Sequence, residues 1–248
     1  MDSGFYAACA ALLARDQALE SVANNLANVS TPGYRGQTNI FRSLLAASSG
    51  SPLSPLNRAV NNYSVLGDTQ LDLTQGNLEH TGGDFDFAIQ GSGFFSVKTA
   101  SGDAFTRNGN FHVSAQNFLV TAAGDKVMGE NGPIEIVGAP VSVSSDGTVS
   151  VNGVLAGKLK VVDFPPGTQL ESLGQTYYTA PLNTAKPAPQ SSIQQGSLES
   201  SNVNAVSSAV QLVTVQRYAE LMQRALYLFH SEMNQIATQD LPRITNNV

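Results

Sequence analysis

The longest periodic apolar pattern of this chain lies at Ala205–Gln239, which reads AVSSAVQLVTVQRYAELMQRALYLFHSEMNQIATQ. Apolar residues recur there at alternating steps of three and four, which predicts a long amphipathic helix with one continuous apolar seam. Flanking Leu221 and Leu228 widen the seam, so one partner helix would leave part of it uncovered. The seam residues are Leu212, Val215, Ala219, Met222, Leu226, Phe229, Met233 and Ile236.

A second amphipathic helix is predicted from Ser3 to about Val29. Its heptad positions are occupied by Phe5, Leu12, Leu19 and Leu26. Its last turns contain Asn24, Asn25 and Asn28, poor helix formers whose amide groups require hydrogen-bond partners. We expect these asparagines and the apolar positions of both helices to form an assembly interface.

The N-terminal helix is predicted to end at Thr31-Pro32-Gly33-Tyr34, here called the helix-exit turn. Pro32 lacks a backbone donor and pushes Thr31 out of the helical region. Gly33 can adopt the positive φ that the second central position of a type II turn requires. The turn therefore sets the direction in which the chain leaves the helix.

Between the helices the apolar period changes to two, which predicts β-strands. Four turn dipeptides favour antiparallel hairpins, namely Asn108-Gly109, Asn131-Gly132, Asp146-Gly147 and Asn152-Gly153. The fold class predicted is α+β, with long N- and C-terminal helices paired as a coiled-coil-like helical domain and a central, mainly antiparallel β-domain. We expect a discontinuous helical assembly domain at 1–36 and 200–248, a connector or arm at 37–84 and the β-domain at 85–199.

The composition argues against several classes of function. Only 13% of the 248 residues are charged and the net charge is -6, so no basic surface for nucleic acid is expected. The single cysteine, Cys9, and the scattered histidines His80, His112 and His230 form no catalytic or metal-binding pattern. We expect no enzyme activity, cofactor, metal site, membrane insertion or cleaved signal peptide. A self-assembling structural subunit is favoured, and the alternative is a secreted β-rich binding or adhesion module with helical oligomerisation ends.

The segment Ala23–Arg35, ANNLANVSTPGYR, resembles the N-terminal signature of the flagellar basal-body rod and hook family. Further similar segments follow along the chain at QGNLE (75–79), GSGFF (91–95), FTRNGNF (105–111) and GSLESSNV (196–203). The echo between 75–79 and 195–199 brackets the β-domain and suggests paired strands or equivalent struts there. The start of the chain and 127–134 resemble the proximal-rod branch more than the distal-rod branch.

The resemblance implies a rod subunit of the bacterial flagellum that forms a helical tube across the periplasm and transmits motor torque to the hook. Its partners would be copies of itself, other rod proteins and the flagellar export apparatus, with hook protein as a further candidate. In this family the terminal helices form the inner tube and the β-domain the outer layer, and subunits are exported without a cleaved signal.

Overall fold

The computed structural model describes residues 2–42, 65–165, 167–174 and 176–239. Helix α1 spans Asp2–Ala27 and helix α2 spans Ala205–Gln239. The chain divides into two compact units, and each is described by itself. The first comprises Met1–Asn24, Thr38–Thr69 and Val206–Val248, and the second comprises Asn25–Gln37 and Gln70–Ala205. The arm predicted at 37–84 includes residues 43–64, which lie outside the described part of the chain.

Nineteen strands are present in the described residues. They are β1 Gln37–Arg42, β2 Val65–Leu71, β3 Leu78–His80, β4 Phe87–Gln90, β5 Phe94–Thr99, β6 Gly102–Thr106, β7 Phe111–Val113, β8 Leu119–Thr121, β9 Lys126–Gly129, β10 Gly132–Pro133, β11 Val141–Val143, β12 Thr148–Val151, β13 Val154–Lys158, β14 Val161–Asp163, β15 Glu171–Ser172, β16 Tyr177–Thr179, β17 Lys186–Pro187, β18 Ser192–Gln195 and β19 Ser197–Glu199.

The predicted coiled-coil-like pairing of the two helices is wrong. Knobs-into-holes packing would bury the large seam side chains. In the first unit, Leu12 and Leu19 are only half-buried. The buried positions of α1 there are the smaller residues Ala14, Ala18, Ser21 and Val22. On α2 only Ala219 of the seam residues whose side chains are described is buried, whereas Leu212, Val215 and Met222 are half-buried.

One contact between the two helices is a cation–π contact. The Arg15 guanidinium lies over the ring of Tyr218, with 5.4 Å between its carbon and the ring centroid. Arg15 stands at the heptad position shared by Ala8 and Val22, where it interrupts the predicted seam of α1, and Tyr218 lies outside the predicted seam of α2. A heptad pattern read along one helix cannot reveal which face its neighbours cover, and here the buried face of α1 runs along its alanines.

The predicted antiparallel β-domain is confirmed in the second unit. A ten-stranded sheet has the order β15-β16-β6-β5-β9-β8-β7, with β10 beside β9, β14 beside β5 and β17 beside β14. A three-stranded sheet has the order β11-β12-β13, and two short pairs are β18-β4 and β19-β3. The pairing of β19 with β3 aligns Glu199 with Leu78, so the two echo segments do form paired strands.

Three of the four turn dipeptides lie in hairpins, but Asn108-Gly109 does not. Asp146-Gly147 joins β11 to β12, Asn152-Gly153 joins β12 to β13, and Gly132 begins β10 opposite β9. Strands β6 and β7 on either side of Asn108-Gly109 are not neighbours in the sheet. A Cβ at Gly109 would overlap the carbonyl of Phe87, so this glycine is required by close backbone approach.

Two apolar clusters form the core of the second unit. The larger contains aromatic residues in tilted or edge contacts, such as Phe95 with Phe111 at 5.3 Å between centroids. The smaller contains Phe94, Val162, Phe164 and Tyr178. The members of the larger cluster are Phe87, Ile89, Phe95, Val97, Ala104, Phe111, Leu119, Val127, Ile134, Ile136, Val149, Val151, Leu159 and Ile193.

Candidate functional site

Three charged side chains meet in the interior of the second unit, and we call them the ion cluster. Glu199 Oε1 lies 2.6 Å from Arg35 Nη1, and Glu199 Oε2 lies 3.0 Å from Arg107 Nη1. The side chains of Arg35, Glu199 and Arg107 are 1%, 0% and 3% exposed. One carboxylate thus bridges two guanidinium groups out of reach of bulk water. Arg35 follows the helix-exit turn, Arg107 follows β6 and Glu199 ends β19, so the cluster joins three distant parts of the sequence.

Backbone groups add further hydrogen bonds to the ion cluster, while Arg35 Nε and Nη2 and Arg107 Nε are buried and have no hydrogen-bond partner among the described residues. The Gly76 N–H donates to Glu199 Oε1 at 2.9 Å, and Arg35 Nη1 donates to the Thr74 carbonyl at 2.6 Å. Arg107 donates to the carbonyl of Gly91 at 2.6 Å. Burial lowers the pKa of Arg107 to about 10, and the carboxylate of Glu199 opposes that shift. The cluster therefore depends on Glu199 for the compensation of its two cations.

Aromatic residues of the smaller core cluster border the ion cluster. The Arg107 guanidinium lies 5.3 Å from the ring centroid of Phe94, which favours the cation through the negative face of the ring. The backbone N–H of Arg35 donates to the Tyr178 hydroxyl at 3.0 Å. Burial raises the pKa of Tyr178 to about 12, so its hydroxyl stays protonated at neutral pH.

The helix-exit turn contacts the same region. The Gly33 N–H donates to the Glu199 carbonyl at 2.7 Å, and Gly33 has a φ of 70°. A Cβ at Gly33 would overlap the backbone of Arg107 and Asn108. Gly33 and Tyr34 are buried, whereas Thr31 and Pro32 are half-buried. The turn thus lies directly on the chain that carries Arg107.

The buried asparagines stabilise the exit from α1. Asn25 Oδ1 accepts hydrogen bonds from the Tyr34 hydroxyl at 3.1 Å and from the Gln37 N–H at 2.8 Å. Asn28 accepts a hydrogen bond from the Thr31 hydroxyl at 3.2 Å. Both amides thus satisfy polar groups of the same segment, while Asn24 is exposed.

Asn202 ties the returning chain to the outgoing one. Its Oδ1 accepts from the Gly36 N–H at 2.7 Å, and its Nδ2 donates to the carbonyls of Asp72 and Thr74 at 2.8 and 3.0 Å. A Cβ at Gly76 would overlap the Ser200 carbonyl, so the two segments run in close backbone contact. Together with the ion cluster, these bonds make a continuous polar junction.

A separate feature belongs to the first unit. Helix α2 exposes an apolar stripe on the side opposite Val215 and Ala219, at the spacing of successive helical turns. Charged Arg217, Glu220 and Arg224 lie among the stripe residues. The exposed members of the stripe are Val206, Val210, Val213, Leu221 and Tyr227.

The predicted interface residues fall into four groups, the first of which is the exposed Asn24. Leu12, Leu19, Leu26, Leu212, Val215 and Met222 are half-buried, and Asn25 and Asn28 are buried. The side chains of Phe5, Leu226, Phe229, Met233 and Ile236 lie outside the described residues.

No sequence pattern predicted the ion cluster. Each member lies within or at the end of a segment that resembles the rod and hook family: Arg35 in 23–35, Arg107 in 105–111 and Glu199 in 196–203. The chain has few charged residues, and each of these three segments contains one. This distribution was the available sign that the three residues have a shared role.

Within the described residues, neither helix contains a stretch apolar enough to cross a membrane. In the same part of the chain, no three metal-binding side chains come together.

Three family models match the chain. The model described as flagella basal body rod protein covers residues 5–35, the flagellar hook protein FlgE/F/G D1 domain covers 88–151, and the flagellar basal body rod FlgEFG protein C-terminal model covers 194–226. Each matched segment contributes one member of the ion cluster.

Curated relatives match almost the whole chain. The flagellar basal-body rod protein FlgF of Caulobacter vibrioides is 33% identical over 226 residues, covering 89% of this chain and 90% of the relative. FlgF of Escherichia coli is 30% identical over 243 residues, covering 91% and 93%. The rod protein FlgG of Buchnera aphidicola from Acyrthosiphon pisum is 31% identical over 227 residues, covering 83% and 87%.

Proposed function

This chain belongs to the flagellar basal-body rod protein family as an FlgF-like structural rod protein, and from that premise we propose that it self-assembles into a helical tube. The tube would span the periplasm and transmit motor torque to the hook. Its partners would be copies of itself, neighbouring rod and hook proteins and the export apparatus that delivers it without a cleaved signal.

The observation that carries this proposal is the exposed apolar stripe of α2. Exposed apolar side chains that line up on one side of a helix favour an interaction site, and Val206, Val210 and Val213 do so on successive turns at the start of α2, before charged residues interrupt the stripe. The opposite side of α2 already carries the half-buried seam residues, so the helix has apolar residues for contacts on two sides. A subunit with two different contact surfaces can add to the next copy without closing into a dimer.

The polar junction supports the torque-transmitting part of the proposal. Torque passes through a subunit only if its segments do not slide past one another. The ion cluster holds the outgoing segment, the returning segment and the β-domain in one register, because one buried carboxylate bonds Arg35 and Arg107 at once. If any one segment shifted along the others, a charged side chain would be left buried without its partner.

The test is a charge placed on the stripe. Val210→Asp should prevent rod formation and motility while leaving the β-domain folded, because Val206, Ser207, Val213 and Thr214 around it are uncharged and an unpaired carboxylate would have to be buried at the subunit contact. Leu182→Asp is the matched control, since Leu182 is almost fully exposed in a turn of the second unit. Motile cells carrying Val210→Asp in normal rods would contradict the proposal.

A further inference from the structure

The β12–β13 hairpin exposes apolar side chains that the core does not use. Val154 and Leu155 are 70% and 68% exposed. Val137, next in the chain to a glycine that lies against the Asn152 side chain, is also exposed. Two exposed aliphatic side chains therefore follow directly on the turn of this hairpin, and we call Val154 and Leu155 the hairpin tip.

The backbone fixes the shape of this tip. Asn152 and Gly153 have φ of 51° and 77°, the conformation of a tight hairpin turn that sets Val151 opposite Val154. Adjacent residues of a strand point to opposite faces. Since Val154 and Leu155 are nevertheless both exposed, the tip is uncovered on both faces and projects beyond its sheet.

A groove elsewhere on the same unit could receive such a tip. Its volume is about 350 Å³. It is bordered by the turns after β6, after β8 and after β15, and includes Ala122, Ala123, Leu173 and Tyr177. Of the described residues that line it, none is charged. The Thr121 and Tyr177 hydroxyls satisfy one another at 2.7 Å, so this part of the wall is already bonded internally.

We propose that the hairpin tip of one copy of this chain inserts into the groove of a neighbouring copy. This contact rests on the proposed rod function and adds a β-domain contact to it. Neither the tip nor the described lining of the groove carries a charge, so insertion would bury no charged group without a partner. Because tip and groove are different surfaces, each copy can donate one tip and accept another, and the contact propagates through an assembly.

The area of the tip argues for a second copy held in an assembly over an independent partner. A fully buried aromatic side chain contributes about 150 to 250 Å², and the two smaller side chains of the tip, 70% and 68% exposed, together offer on the order of 200 Å². A stable pairwise complex buries roughly 800 Å² on each partner. The contact is therefore too small to hold two free molecules together, and it suits neighbours that are already aligned by their helices.

Disulfide trapping in assembled rods tests this contact. Leu155→Cys and Ala123→Cys would be combined in a chain in which the native cysteine is replaced, Cys9→Ser. Oxidation of purified basal bodies should give a ladder of dimers, trimers and higher multimers of this chain, because each copy would form one bond in each direction. Either cysteine alone should give no ladder. Leu182→Cys with Ala123→Cys is the matched control and should give none.

The other possible results of the trapping experiment contradict either the tip-to-groove contact or the rod function. Rods that contain the double variant but yield no multimers would overturn the contact and leave the rod function standing. Dimers from Leu155→Cys alone would show a tip-to-tip contact, and bonding to a different rod protein would show another occupant; either would overturn the proposal. Basal bodies from which the wild-type chain is absent would overturn the rod function and the contact with it.

Discussion

Replacing Glu199 by glutamine should destabilise the second unit far more than removal of a charge from the protein surface does. Both carboxylate oxygens are engaged, Oε1 by Arg35 and the Gly76 N–H and Oε2 by Arg107. Glu199→Gln keeps the size of the side chain but removes its charge. Its amide nitrogen must also face one of the guanidinium groups, where a donor would meet a donor.

The magnitude follows from the burial of the cluster. Removing one partner of a buried ion pair costs about 3 to 5 kcal/mol, because the remaining charge is left uncompensated. Here two cations would remain, at 1% and 3% exposure. For a unit of about this size, each kcal/mol lowers Tm by about 2 to 4 °C, so we expect a decrease of about 6 to 20 °C.

The assay is denaturant and thermal unfolding followed by near-ultraviolet circular dichroism, which reports on tyrosine because the chain has no tryptophan. The control is Glu130→Gln, whose partner Lys158 is 3.1 Å away but whose pair is 56% and 43% exposed. That change should cost less than about 1 kcal/mol. Equal, small losses for both variants would refute the argument that the cluster stabilises the junction.

Two further changes probe the same region. Gly33→Ala should lower the free energy of unfolding several times as much as Gly82→Ala. Both glycines have a φ near 70°, so the backbone strain is the same. A Cβ at Gly33 would overlap the Arg107 backbone, whereas a Cβ at Gly82 would have no atom within 4 Å. Equal unfolding free energies for the two variants would contradict the close approach. Tyr178→Phe should reduce the loss of stability between about pH 10 and 12, because the unfolded chain releases the hydroxyl proton first. With its pKa raised to about 12, Tyr178 alone contributes a loss of about 2 to 3 kcal/mol as pH rises through that window. Unfolding at a series of pH values measures it, and identical profiles for both proteins would contradict the assignment.

The features that sequence predicted best are those set by neighbouring residues. The helices follow from apolar periodicity, and the Asp146-Gly147 and Asn152-Gly153 turns follow from residues that accept the required backbone angles. The positive φ of Gly33 belongs to the same class, because Pro32 and Gly33 together favour one turn type.

The features that sequence missed depend on what lies across the fold. The buried face of α1 is the Ala14–Ala18 side because of its tertiary surroundings, although the heptad pattern favours Leu12 and Leu19. Asn108-Gly109 is typical of a hairpin turn, yet a glycine is required at 109 because the Phe87 backbone lies against it. The ion cluster is formed by residues far apart in sequence, and no local pattern pairs Glu199 with two particular arginines.

The most direct measurement of the central claim is a cryo-electron microscopy reconstruction of basal bodies purified from cells that express this chain. We predict a continuous rod in which density for this chain occupies successive positions, with the apolar stripe of α2 against a neighbouring subunit. A complete rod that does not contain this chain, or one in which the stripe faces solvent, would contradict the account.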